Sequence, residues 1–588
     1  MKWKKYIKPY WPYFIIGPLC MILEVIGEVL MPWFLKSVLN SGTSGSLTVW
    51  KSVLYAGAMI LTALLMMAGG VGGTYFGTKA SVGFATDLRL DLYKHVQGFS
   101  FANIDKFSAG SLVTRLTNDV TQLQNFVNML LRMCLRAPGM MIGALVMSIM
   151  IRPSLSAVFC VSIPILVLAI FIIIRMGFPR FTKMQQKIDE LNSTVQENIT
   201  NVRVVKSFVR EDFEEQKFTA ANSNLKNTGM SAYKMMIVLQ PFMTICMNLT
   251  TVAVLWIGGQ IVMNESGMVG GMQIGDLSSF VTYVTQILSS LMMVTMMFMM
   301  SSRAFASAKR IREVLDEKPD ISNGNSYADK EIKRGEIEFR DVSFRYYKTS
   351  EETVLTHISL HIPAGSTVGI IGSTGCGKTT LVSMIPRLYD PDSGSILVDG
   401  TDVREYSLDN LRAGIGMVLQ KNVLFSGTIA DNLRFGNPDA EYSDMCEAAK
   451  HAQADKFISS FSKGYDTFIE QGGTNVSGGQ KQRLCIAAAL LKKPKILILD
   501  DSTSAVDTAT EAQIRNTFKN DLPEATKIII AQRISSVIDA DTIIVMNEGK
   551  ITGMGTHKEL FENNTEYREI YFSQVSESET NMERGENE

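Results

Sequence analysis

Four stretches of this chain carry no charged residue: 52–78, 153–174, 235–264 and 277–302. Each is longer than the roughly 20 apolar residues a helix needs to cross bilayer hydrocarbon. In lipid the backbone N–H and C=O groups find no water, so such a stretch must form a helix, which satisfies them internally. Two weaker segments bring the set to about six spans. Residues 13–39 carry Glu24, Glu28 and Lys36, and residues 137–151 extend back through Arg136 and Arg132.

Loop charge sets the expected orientation. Lys2, Lys4, Lys5 and Lys8 precede the first span, and Arg303, Lys309, Arg310 and Arg312 follow the last. The short connections 40–50 and 265–275 contain no Lys or Arg, and Arg152-Pro153 makes a minimal turn. Because cytoplasmic loops collect Lys and Arg, both termini are expected inside a cell membrane and the short loops outside. The basic N-terminus lacks a small-residue cleavage site and reads as a retained anchor. The long polar connections, about 79–133 and 177–234, keep helical periodicity. They are either simple cytoplasmic hairpins between spans or levers that reach a soluble domain.

At 588 residues the chain is too long for one core, and its composition, 46% hydrophobic and 20% charged, blends two environments. Charge is scarce before Arg303 and plentiful after it. The expected architecture is an α-helical transmembrane bundle over 1–318 and a linker at 319–335. An α/β nucleotide-binding domain over 336–572 and a polar, disordered tail at 573–588 follow. A net charge of −1 gives no reason to expect nucleic acid. Seven cysteines lack CxxC pairing or His partners and read as small buried hydrophobes, not as a disulfide framework or zinc site.

In the soluble part, the apolar strand 366–371 runs into Gly372-Ser373-Thr374-Gly375-Cys376-Gly377-Lys378-Thr379-Thr380 and then an apolar helical start. That is a complete GxxxxGK[ST] phosphate loop in its strand–loop–helix context. Its glycines let backbone N–H groups turn toward phosphate oxygens, Lys378 reaches the terminal phosphates, and Thr379 ligates Mg²⁺. A second apolar strand, 495–499, ends in Asp500, placed to hold the magnesium ion. ATP and Mg²⁺ are the expected ligands.

Between them, Val476-Ser477-Gly478-Gly479-Gln480 opens another helix, and here the chain resembles the ATP-binding cassette (ABC) transporters, whose signature this matches. The resemblance extends in order through Tyr346 as the adenine-stacking aromatic, Gln420 as the Q-loop glutamine near the metal, and Asp507 of the D-loop. With six spans ahead of the cassette, it implies an exporter-type half-transporter. It also implies a head-to-tail cassette dimer, each ATP lying between one chain's phosphate loop and the other's signature. Coupling helices are implied near 99–107 and 208–213.

Two positions depart from that family. Asp501 stands where a glutamate usually serves as general base, which retracts the carboxylate by roughly 1–1.5 Å, an error that can cost on the order of a hundredfold in rate. Gln532 replaces the switch histidine, and its amide can hydrogen-bond a phosphate but cannot carry a proton. Binding residues are kept while hydrolytic ones are altered, as in the degenerate-site subunit of heterodimeric multidrug-type exporters. The expected partner is a second half-transporter. The alternatives are a slow homodimeric lipid or peptide exporter and an importer of the same fold.

The substrate is read only as hydrophobic or amphipathic. Glu24 and Glu28 share a helix face, either as a cation site or as a structural polar pair. Met292, Met293, Met296, Met297, Met299 and Met300 form either an adaptable pocket or ordinary packing. Two glycosylation patterns, at Asn198 and Asn248, fall on an inside loop and within a span and are discounted.

Overall fold

A computed structural model describes residues 3–265, 271–323, 330–346, 352–502 and 506–574. Contacts divide the chain into two units, one of residues 1–97 and 109–317, the other of residues 98–108 and 318–588.

The first unit is helical: α1 (Trp11–Thr43), α2 (Val49–Gln97), α4 (Val120–Met133), α5 (Arg136–Ile151), α6 (Phe159–Thr200), α7 (Val202–Ser207), α8 (Glu211–Asn264) and α9 (Ile274–Asp316). Among the described residues, six helical stretches are long and apolar enough to cross a membrane. The core lies where α9 supplies Phe280, Tyr283 and Ile287 against Val25 and Val29 of α1, Ala144 of α5 and Phe159 of α6. Pro32 has no N–H to give the Glu28 carbonyl four residues back. That carbonyl instead accepts from Gln286 Nε2 at 2.9 Å, so the break in α1 becomes a tie to α9.

Helix α2 lies against α1 through glycines. A Cβ at Gly69 would stand 2.7 Å from the Cys20 carbonyl oxygen, and one at Gly73 would stand 2.3 Å from Met21 Cε. Small residues allow this approach, and close packing is what associates helices where lipid removes the hydrophobic drive. Several charges inside the unit are paired: Lys36 with Asp276 at 2.8 Å, and Arg136 with both Glu24 (3.3 Å) and Glu28 (2.6 Å). Of the alternatives for Glu24 and Glu28, the structure favours the structural one, because a guanidinium already occupies the space between them. The methionines divide. Met292 and Met293 pack on the core, Met296 and Met300 are exposed, and the Met299 side chain lies outside the description. The chain turns between α7 and α8 at Val209, in the left-handed region (φ 51°), which leaves Phe208, Val209 and Phe213 exposed.

In the second unit, an antiparallel sheet has the order β2 (Leu355–Ile362), β1 (Ile337–Phe344), β4 (Ser393–Val398), β5 (Thr401–Asp402). A six-stranded sheet has the order β10 (Lys550–Gly555), β9 (Thr542–Asn547), β3 (Thr367–Gly372), β8 (Thr526–Ile530), β7 (Ile496–Asp500), β6 (Ile415–Val418). Its strands are parallel except for the edge pair β9–β10. Strands β7 and β8 are buried along their whole length, as a central parallel strand covered on both faces must be. That burial suits the apolar residues 496–499 of β7 and 528–530 of β8, while Thr526, Lys527 and Asp500 are buried polar exceptions at the strand ends.

Residues 98–108, within the first domain in the sequence reading, group with this second unit. They form α3 (Phe101–Phe107), capped by a reciprocal Ser100–Asn103 box. Asn103 also donates to the Lys318 carbonyl at 3.2 Å and accepts from Asp320 N at 3.3 Å. Gly324 and Asn325 of the expected linker, and residues 575–588 of the expected tail, lie outside the described residues; the chain is helical over Thr565–Gln574.

Candidate nucleotide site

Strands β3, β7 and β8 are parallel neighbours, so the residues that follow them emerge side by side at one sheet edge, where open α/β sheets place ligands. After β3 comes the phosphate loop. Gly372 (φ 153°) and Gly377 (φ 97°) are at glycine-favouring angles, and a Cβ at Gly372 would stand 2.1 Å from the Met546 carbonyl oxygen. The loop cannot take this shape with side chains there. Lys378 Nζ donates to the Gly372 and Ser373 carbonyls at 2.8 and 2.7 Å, which holds its charge over the loop.

After β7 comes Asp500, 1% exposed, whose Oδ1 accepts from Thr379 Oγ1 at 3.1 Å. Burial raises its carboxyl above the ordinary range, with the Asp501 charge adding and the Thr379 bond and Lys378 opposing. Its second oxygen, Oδ2, is buried with no hydrogen-bond partner. An orphaned carboxylate oxygen beside a threonine hydroxyl is the donor set a hard divalent cation takes. The residues therefore fit Mg²⁺.

Asp501 follows in the left-handed region (φ 49°), its N–H on the Ile530 carbonyl at 3.0 Å. After β8 comes Gln532, whose Nε2 donates to Asp501 Oδ2 at 2.7 Å. Burial raises the Asp501 carboxyl above its ordinary value, with bonds from Gln420 and Gln532 and the Lys378 charge offsetting only part of the rise.

Tyr346, Gly372, Thr374, Gly375, Gly377, Lys378, Thr379, Thr380, Gln420, Asp500, Asp501 and Gln532 thus line one cavity of about 400 Å³. Tyr346 hydrogen-bonds Thr380 Oγ1 through its hydroxyl at 2.8 Å. Cys376 is buried beneath the loop, with Sγ 3.6 Å from Lys378 Nζ. The cavity does not include Ser477, Gly478, Gly479, Gln480 or Asp507. Ser477 and Gln480 form a reciprocal capping box at the start of α11 (Gly478–Leu491; α10 is Lys378–Ser383), and Asp507 caps α12 (Thr508–Asn520) by accepting from Thr510 N at 2.9 Å. Ser504, upstream of Asp507, lies outside the described residues.

Sequence reasoning missed Tyr389. Its ring meets Tyr346 at 5.2 Å and Phe101 of α3 at 6.0 Å, and its hydroxyl donates to Asp105 at 3.1 Å. An aromatic in the polar turn after the phosphate-loop helix was the available signal.

A helical unit with six candidate spans joined to a phosphate-loop α/β domain defines a multi-pass membrane protein that binds nucleotide. Comparison with known proteins gives the particular family. Residues 14–291 match the ABC transporter transmembrane region and residues 355–504 match the ABC transporter cassette. An uncharacterized ABC transporter ATP-binding protein of Bacillus subtilis (strain 168), YfiB, is 36% identical over 573 residues, covering 97% of each chain. An ATP-dependent lipid A-core flippase of Desulfotalea psychrophila is 33% identical over 518 residues, covering 87% of this chain and 89% of that protein. The solved structure of a bacterial Atm1-family ABC exporter with ATP bound superposes with a TM-score of 0.78 at 25% identity, covering 96% of this chain and 98% of that one. The chain belongs to the ABC transporter family and has the architecture of an exporter-type half-transporter, a membrane region fused to one ATP-binding cassette.

Proposed function

We propose that this chain is one half of a heterodimeric, ATP-driven exporter of hydrophobic or amphipathic compounds. Its own nucleotide site binds MgATP firmly and hydrolyses it slowly, and its signature helix completes the partner's site. The observation that carries this reading is the 2.7 Å bond between Gln532 Nε2 and Asp501 Oδ2. The shortened carboxylate, in the place of a general base, has one oxygen engaged by an amide that cannot accept its proton.

The remaining residues serve binding. Lys378 exchanges the Gly372 and Ser373 carbonyls for terminal phosphate oxygens, the loop N–H groups complete the cradle, and Tyr346 offers its ring to adenine. Thr379, Asp500 and Gln420 would hold Mg²⁺, which would supply positive charge that offsets the phosphates. Since the signature residues lie outside the cavity, a second cassette is needed to close it. The exposed Phe208, Val209 and Phe213 suit docking on that partner. Loop charge puts both termini and the cassette in the cytoplasm.

A homodimeric lipid exporter with slow turnover is the second reading, favoured by the likeness to a lipid A-core flippase. ATPase assays on the chain purified alone and with its partner separate the two. The heterodimer reading expects negligible activity alone and strong activity together. Substantial activity from the chain alone, abolished by Asp501→Asn, would overturn it.

A further inference from the structure

A charged cavity of the first unit lies between α1, α2 and α4–α5, with a volume of about 900 Å³. That is within the roughly 300–1,000 Å³ range of small-molecule sites. Its polar end holds Glu24, Lys79, Arg132 and Arg136, and its apolar wall holds Met21 and Val71. Arg136 is neutralised by Glu24 and Glu28, at 3.3 and 2.6 Å. Arg132 has no salt bridge among the described residues. Its stem packs across Gly77, where an added Cβ would stand 3.5 Å from Arg132 Cγ. Lys79 is exposed and has aromatic faces in place of a carboxylate, 4.9 Å from the Tyr13 ring and 5.8 Å from that of Tyr75. Three cations against the two carboxylates leave one net positive charge. Glu24 Oε2 and Arg136 Nε are both buried without a hydrogen-bond partner, so an acceptor and a donor remain unsatisfied beside that charge.

The depth of the site matters. Arg136 is 16 residues from the turn at Arg152, about 24 Å of helix, close to the far side of a roughly 30 Å hydrocarbon layer. Loop charge assigns that side to the cytoplasm. Val71 and Tyr75, on the cavity's rim, are 65% and 58% exposed.

We infer that this cavity is a binding site for an amphipathic anion. Acidic phosphate or carboxylate oxygens meet Arg132 and Lys79, a neutral hydroxyl donor reaches Glu24, and an apolar tail lies along Met21 and Val71. A cation is disfavoured, because both acids already hold Arg136. The inference rests on the exporter reading only for the site's place on a transport route; binding itself is tested without turnover.

The test is native mass spectrometry of the full-length protein in detergent with added phosphatidylglycerol, phosphatidylcholine or inorganic phosphate. Wild type is expected to retain phosphatidylglycerol about tenfold better than phosphatidylcholine, the size of one or two charge-assisted hydrogen bonds. Lys79→Gln with Arg132→Gln removes that preference, while Arg132→Lys keeps most of it. Lys79→Gln alone, at an exposed position, is expected to lower it partway, which covers a double variant that fails to fold. Unchanged adducts in both glutamine variants, equal retention of the zwitterionic lipid, or displacement by inorganic phosphate would each overturn the amphiphile site. A failed exporter reading would show instead in ATPase assays, with these adducts unaffected.

Discussion

Asp501 combines two constraints that pull against each other. Its left-handed φ of 49° is one that Asp and Asn tolerate better than most residues, because a short polar side chain can bond locally. Here the side chain is instead held from the end of the neighbouring strand, by Gln532 at 2.7 Å. The conformation therefore suits the residue present, while the carboxylate is short for proton abstraction from water. Asp501→Glu with Gln532→His is expected to raise hydrolysis at this site at least about tenfold, recovering part of what a 1 Å misplacement costs. Single-turnover assays on the two-chain complex read this, and no gain would reject the geometric explanation. Asp500 gives a prediction with a definite sign. Burial raises its folded pKa above the unfolded value, so the folded state binds the proton more tightly. The cassette then loses stability as pH rises from the unfolded pKa through the folded one. Asp500→Asn removes the charge that causes this. Without magnesium it should stabilise the protein at neutral pH by roughly 1 kcal/mol, about 2–4 °C in Tm for a domain of this size. The same change should abolish the thermal shift that MgATP confers, and scanning fluorimetry measures both.

At the scale of elements, α3 is continuous in sequence with α2 yet grouped with the cassette, and Tyr389 is what ties it to the nucleotide face. Phe101, Tyr389 and Tyr346 form a chain of ring contacts at 6.0 and 5.2 Å, with Phe344 against both tyrosines. In the proposed site, a shift of the Tyr346 ring against adenine would press on Tyr389, and through it on α3. Tyr389→Ala is therefore expected to leave ATP affinity nearly unchanged and to cut substrate-stimulated ATPase by about fivefold or more, the lower end of ordinary coupling energies. Equal losses in binding and stimulation would reduce Tyr389 to a packing residue. The α1–α2 interface makes a second prediction. Gly69→Val drives a Cβ to 2.7 Å from a backbone carbonyl that cannot move aside, whereas Gly57 has nothing within 4 Å. The first change should cost about 1–3 kcal/mol and the second should be close to neutral, read as thermal unfolding in detergent.

For the whole molecule, legibility in the sequence followed the range of the interaction. Spans were visible because the cost of burying charged side chains in hydrocarbon dictates an uncharged run within one segment, and the phosphate loop because its glycines, lysine and threonine lie within eight consecutive residues, 372–379. Asp501 and Gln532 were recognisable as altered, but their bond joins the ends of two strands and has no local signature. Arg136 with Glu24 and Glu28, Tyr389 with α3, and the glycines of α2 against α1 were unreadable for the same reason: each depends on partners set by packing. The placement of the signature follows this logic at the largest scale. Ser477 and Gln480 are shaped by their own capping box, and neither lines the cavity in which Lys378, Thr379 and Asp500 meet. A site divided in this way makes the two halves of one chain separable by mutation. In a complex with its partner, Ser477→Arg in this chain should remove hydrolysis at the partner's site, at least about a hundredfold, as expected for loss of a group that stabilises the transition state. On the proposed reading, in which this chain's own site contributes little, Asp501→Asn should change total turnover less than about twofold. Steady-state ATPase of the purified complex measures both. If the two substitutions lower turnover equally, the two sites are equivalent and the impaired-site reading fails; only a large loss from Ser477→Arg beside a small one from Asp501→Asn fits a subunit that binds ATP mainly to hold its partner closed.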